Sequence, residues 1–149
     1  MAHDFKKFPE LTKRQMELYY FESPHKQITE DFRAYVVKVT DGDTIRVITE
    51  FRDFDFPIRI LDMDAPEMNE PGGKETKDWL SQRILNEEVD IIMTSNRVDK
   101  YGRLLGKLFY RGMNMAEMMI VLGLAKTFVG RTEGELPNLN KELAVERWL

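Results

Sequence analysis

From Tyr35 onward the apolar positions recur with a period of two. Tyr35–Thr40 and Thr44–Ile48 read as paired strands, with Asp41-Gly42-Asp43 as the hairpin turn between them. A third strand is predicted over Phe56–Asp62, with Pro57 near its start, where an edge position tolerates it. A fourth is predicted over Val89–Thr94 and a fifth over Leu104–Tyr110. Two stretches follow the helical period instead. Trp79, Leu80, Ile84 and Leu85 mark a helix of about Lys74–Asn86, and Asn114 caps another that runs to Leu122, with Gly123 as its stop. A loop rich in Pro, Gly and Asn (Ala65–Gly73) and a polar connection (Arg97–Gly102) separate these elements. Upstream, Thr12 and Gln15 form a capping-box pair. Met16, Tyr19 and Tyr20 then share one helical face until Ser23-Pro24 ends the run.

Five strands with a helix inserted after the third outline an α+β, mainly β fold. It is a five-stranded Greek-key barrel of the OB type, with two to three packed helices. The expected organisation is an N-terminal helical arm at 1–33, a barrel domain at 34–129 and a polar tail at 130–149. The tail carries a short helix from Pro137 to Trp148. The arm is expected either to pack on the barrel or to mediate self-association or docking to a partner.

Composition narrows the chemistry. The 149 residues are 42% apolar and 32% charged, which excludes a disordered chain, and no apolar run approaches a membrane span. Without cysteine there is no disulfide, thiolate metal site or thiol nucleophile, and two histidines are too few for a zinc centre. The start of the chain lacks the apolar core of a signal peptide. A cytoplasmic location is therefore expected, with a processed secreted form as the alternative.

Carboxylates gather at the predicted loop ends: Asp41, Asp43, Asp62, Asp64 and Glu67. Hard oxygen donors of this kind, without His or Cys, suit Ca²⁺ or Mg²⁺ and not zinc. Arg59 inside an apolar strand and Arg103 after a glycine turn add two guanidinium forks. A carboxylate-held cation with two such forks is suited to a phosphodiester, because both neutralise charge that builds on phosphoryl oxygens. Taken singly, each piece also has a plain structural reading. The Asp-Gly-Asp segment is a common turn, Arg59 can pair with Asp62 or Asp64 as internal glue, and Arg103 can rest on the Tyr101 ring.

Together, DGDTIRV (Asp41–Val47), IRILDMDAPE (Ile58–Glu67) and DKYGR (Asp99–Arg103) resemble the three signature segments of the staphylococcal nuclease family, in that family's order. Gly123-Leu124-Ala125-Lys126 resembles a fourth, less specific block. The resemblance covers about residues 34–129 and implies a Ca²⁺-dependent phosphodiesterase on an OB barrel, with Mg²⁺ or Mn²⁺ as alternative ions. By matching position, Asp43 and Asp64 would ligate the metal, Ala65 would do so through its carbonyl, and Asp41 would stand in the outer shell. Glu67 would orient or activate water, while Arg59 and Arg103 would clamp the phosphate. Lys100 and Tyr101 would contact substrate, and Phe128 would offer a stacking face where the family's type member has tyrosines. The implied substrates are DNA and RNA, with single strands favoured and 3′-phosphate ends as products. The rival reading is a catalytically weak module of the same fold that only binds nucleic acid or protein.

The net charge of −4 argues against a broad basic nucleic-acid face. Residues 34–129 are themselves acidic, with sixteen acids against thirteen bases. Five of the acids lie at or beside the proposed metal site. Binding is therefore expected to be local, metal-assisted and shallow in its salt dependence.

Overall fold

The computed structural model describes residues 3–127. After helix α1 (Lys13–Tyr19) and a 3₁₀ turn at Tyr20–Glu22 come strands β1 (Phe32–Asp41), β2 (Thr44–Thr49), β3 (Arg52–Ile60) and β4 (Met63–Asp64). Helix α2 (Gly73–Ile84), β5 (Glu88–Ile92), β6 (Leu104–Tyr110), β7 (Met113–Asn114), α3 (Met115–Val121) and β8 (Lys126–Thr127) follow. Strands β1, β2, β3, β5 and β6 close into a mixed barrel. The pairs β1–β2, β2–β3, β1–β5 and β5–β6 are antiparallel, and β3 meets β6 in parallel through Ile58, Arg59 and Ile60. The barrel interior is aliphatic and aromatic, with Val36, Ile45, Val47, Phe56, Ile58, Ile60, Ile91, Leu104 and Leu108 fully buried. On β6, Gly106 has no room for a side chain, since a Cβ would stand 2.5 Å from Ile91 Cγ2.

Several local features depart from the uniform pattern. In β1 the buried residues are Ala34, Val36 and Val39, a spacing of two and then three, because the register against β2 slips between Val36 and Lys38. A bulge of this kind adds twist and helps the ribbon coil into a barrel. β3 begins at Arg52, so Pro57 lies inside it, opposite Arg46. β6 pairs with β3 only from Ile58 on, so a residue lacking an N–H fits at Pro57. The strand stops at Ile60, short of the expected Asp62, where the chain turns through a left-handed Asp62 (φ 71°). β5 also ends early, at Ile92. The buried stripe of α2 is Gly73, Thr76, Leu80 and Ile84; Trp79 sits at its border under Arg83, and Leu85 is exposed. The expected stripe shifts because Thr76, a polar residue, turns inward to donate to the Leu124 carbonyl (2.8 Å).

The arm forms its helix with the Thr12–Gln15 capping box in place, yet α1 fully buries none of its own residues. The flanking segments do the packing: Glu10, Leu11, Gln27 and Ile28 are buried. Glu10 pairs with Arg52, which lies against the Phe56 ring at 4.5 Å, and with Arg97 at 3.3 Å. The leucine amide of Leu11 donates to the Gln27 side chain at 2.7 Å, and that side chain donates to the Pro9 carbonyl at 2.9 Å. The expected tail helix over Pro137–Trp148 lies outside the described residues. No helix among those described is long and apolar enough to cross a membrane.

Candidate active site

The β1–β2 turn puts Asp43 at one end of the barrel. Gly42 is required there by close approach and not by turn handedness: its φ is not positive, but a Cβ would lie 2.6 Å from Thr76 Cγ2 and 2.7 Å from Ala65 Cβ. The turn is fixed by the Asp43 amide, which donates to Asp41 Oδ1 (3.1 Å), and by the Asp43 carbonyl, which accepts from Ile60 N–H (2.8 Å). Asp43 Oδ2 accepts from the Ala65 amide at 3.1 Å, tying the hairpin to the loop after β4. A carboxyl so enclosed resists ionisation. Burial, followed by the neighbouring Asp41 carboxyl, pushes Asp43 up to about 6, against the opposing pull of Arg59 and the Ala65 amide.

Arg59 projects from β3 into the same place, with a side chain only 13% exposed. Its guanidinium donates to the Ile60 and Met63 carbonyls, the latter at 3.0 Å. Its Nη2 stands 3.4 Å from Asp43 Oδ2 and 3.5 Å from Asp64 Oδ1. Arg59 therefore joins Asp64 but not Asp62, which faces Lys107 on β6 instead (4.0 Å). Asp64 is held by the small β4–β8 ladder, opposite Lys126. That ladder gives the Gly123–Lys126 block a structural role: it returns the chain after α3 to the edge of the site.

Arg103 comes from the loop just before β6. Asp99 takes its Nε at 2.8 Å and its backbone N–H at 2.9 Å, so one carboxylate fixes both the side chain and the turn. Arg103 Nη1 donates to Thr44 Oγ1 (3.1 Å), and the Thr44 hydroxyl donates to Asp43 Oδ1 (3.2 Å). A continuous chain thus runs Arg59–Asp43–Thr44–Arg103–Asp99. Thr44 and Asp99 were not among the residues singled out from the sequence. They sit inside its motifs, but nothing in a polar pattern marks a hydroxyl as a bridge. Beside Arg103, Tyr101 is 62% exposed, with Lys100 Nζ at 5.3 Å from its ring centroid and the Arg103 guanidinium at 5.5 Å.

Glu67 lies on the exposed loop between β4 and α2. Its position is set by the backbone: its amide donates to Glu70 Oε1 (2.8 Å), and Gly73 packs so close that a Cβ there would meet the Glu67 carbonyl at 2.0 Å. Phe128 lies outside the described residues. Among those described, no three His, Cys, Asp or Glu side chains already surround one point as a metal cage. What the site offers a cation is oxygen: Asp41 and Asp43 side by side, and Asp64 across Arg59. The crowding that raises Asp43 is of the kind a bound divalent ion relieves, so the donor set fits a hard metal in kind.

Comparison with known proteins identifies the family. The family model described as staphylococcal nuclease homologue matches residues 57–145, a span that begins inside β3 and contains Arg59, Asp64, Glu67 and Arg103, while Asp41 and Asp43 lie upstream of it. The chain is 37% identical over 79 residues to a micrococcal nuclease of Shigella flexneri, covering 53% of this chain and 43% of that one. It is 32% identical over 114 residues to an uncharacterized endonuclease of Escherichia coli O157:H7, covering 75% and 72% respectively. It is 27% identical over 118 residues to the thermonuclease of Staphylococcus hyicus, covering 75% and 66%. The chain thus spans less than half the length of the Shigella protein and nearly three quarters of the E. coli one. With a matched span of more than half its length and a barrel that brings the matched arginines onto one carboxylate network, the chain belongs to the staphylococcal nuclease homologue family.

Proposed function

We propose that this protein is a metal-dependent nuclease that hydrolyses phosphodiester bonds of DNA and RNA. The observation that carries the reading is the chain Arg59–Asp43–Thr44–Arg103, which links two guanidinium groups through one largely buried carboxylate and one hydroxyl. Two forks held in this way are pre-oriented for a phosphate. They need little reorganisation when negative charge builds on its oxygens, which is where such groups act most strongly.

In this reading Asp43, Asp64 and the Ala65 carbonyl hold a divalent cation, with Asp41 in the outer shell. Ca²⁺ is the first candidate, Mg²⁺ and Mn²⁺ the alternatives. When bound, the ion supplies Lewis-acid polarisation and charge neutralisation at the phosphoryl group. Arg59 and Arg103 bind the scissile phosphate and stabilise its pentacoordinate transition state. Glu67, exposed on its loop, accepts a proton from the attacking water or orients that water. Lys100 and Tyr101 present a cation and an exposed ring to the next phosphate and base, which favours single-stranded substrate and a short footprint. The products are expected to carry 3′-phosphate ends.

The test uses plasmid and single-stranded DNA with the unmodified protein, Glu67→Gln and Arg103→Ala. Each variant is expected to lose on the order of 10²-fold or more in kcat while remaining folded. Unchanged rates in both would remove these residues from the reaction.

A further inference from the structure

The loop that presents Arg103 is held at both ends by the N-terminal arm. At its base, Arg97 reaches into the arm, where its Nε donates to the Ile28 carbonyl (2.6 Å) and its Nη1 to the Leu11 carbonyl (3.1 Å). Its Nη2 pairs with buried Glu10 (3.3 Å). The same residue begins the loop's own ladder: its carbonyl accepts from Leu105 N–H (2.8 Å), beside the Val98–Leu104 bridge. At the tip, Gly102 adopts φ +82° and lies against Phe8, so close that a Cβ on Gly102 would stand 2.9 Å from Phe8 Cδ1. Between these two anchors the loop is secured through Asp99, which accepts the Tyr101 and Arg103 amides at 2.8 and 2.9 Å.

Resting on the reading of Arg103 as a phosphate-binding group, we propose that the arm is a clamp for the catalytic loop, with Phe8 as the positioning residue at its tip. Phe8, an apolar ring, takes no part in the Arg59–Asp43–Thr44–Arg103 chain. It acts by backing the left-handed Gly102 turn, from which the Arg103 side chain departs toward Thr44. Arg97 and Glu10 anchor the base, but they are embedded in a buried ionic cluster whose loss would also weaken the fold. Phe8 is 37% exposed and is the gentler place to test the clamp.

The experiment compares the full chain with Phe8→Ala and Phe8→Leu by hydrogen–deuterium exchange over residues 98–104 and by steady-state DNA cleavage. Loss of backing opens the loop locally, so Phe8→Ala is expected to raise exchange there roughly tenfold while barrel strands keep their protection. It is also expected to lower kcat about tenfold with KM changed less than about twofold, the pattern of a group needed in the transition state. Phe8→Leu, which keeps apolar bulk, should recover most of both. Unchanged exchange in Phe8→Ala overturns the clamp. Raised exchange with unchanged kcat upholds the clamp and overturns the role given to Arg103. Should Phe8→Ala fold poorly, Phe8→Val, which shortens the side chain but keeps it apolar, takes its place: raised loop exchange alongside an intact barrel supports the clamp, and exchange equal to that of the unmodified chain opposes it.

Discussion

Replacing Asp43 with asparagine should make the metal-free protein more stable at high pH. The Asp43 carboxyl is raised from an ordinary 3.8 to about 6, first by burial and then by Asp41. Its neutral form is therefore favoured in the folded state. The associated stability is fully present below 3.8 and is lost as pH rises through 6, because between those values the folded chain binds more protons than the unfolded one. At about 1.4 kcal/mol for each tenfold, the full loss is about 3 kcal/mol, and some 2–3 kcal/mol of it falls between pH 4 and pH 8. Asparagine has nearly the same shape as the protonated acid but does not ionise, so it escapes this loss. Urea unfolding in EDTA at pH 4 and pH 8 measures it. Subtracting the stability of the unmodified protein from that of Asp43→Asn at each pH cancels fixed differences in contacts with Ala65 and Arg59. The difference should grow in favour of Asn by roughly 2–3 kcal/mol on going from pH 4 to pH 8. A difference that stays constant to within about 0.5 kcal/mol would show that Asp43 ionises freely and that the crowding argument fails. The same substitution should abolish cleavage, so a more stable protein would be an inactive one, as expected where a strained charge serves function.

Other substitutions test separate links. Thr44→Val removes the hydroxyl between Asp43 and Arg103 at constant volume. It should lower kcat on the order of tenfold or more in steady-state cleavage, while thermal unfolding falls by only about 1 kcal/mol. Glu10→Ala leaves Arg52 buried without its carboxylate partner. Denaturant unfolding should show a loss of about 3–5 kcal/mol, larger than any surface ion pair would give.

The barrel strands were legible because a half-buried strand alternates in any sheet, and the capping residues Thr12 and Asn114 were legible because their bonds are local. The β1 bulge was not. Val37 is apolar but only partly buried, so the written pattern hides the slip that sends Val36 and Val39 to the same side. The docking of the arm was hidden for a different reason. Its contacts are made by Glu10, Gln27, Arg52 and Arg97, residue types that a hydropathy pattern assigns to the surface, and burial becomes favourable only once distant partners meet. At the site, Asp43, Arg59 and Arg103 meet in one network. The residues that join them, Thr44 and Asp99, emerge only from distances. The exposed Glu67 loop shows the converse case, since its placement depends on Gly73 and Glu70 and not on any feature of the glutamate itself.

The most direct measurement is the initial rate at which the unmodified protein cleaves single-stranded DNA during a Ca²⁺ titration, against an EDTA control. The account predicts saturable activation by Ca²⁺ and a rate in EDTA at least 10²-fold lower, with product ends that carry 3′-phosphate. Equal rates with and without Ca²⁺, and no rescue by Mg²⁺ or Mn²⁺, would contradict it.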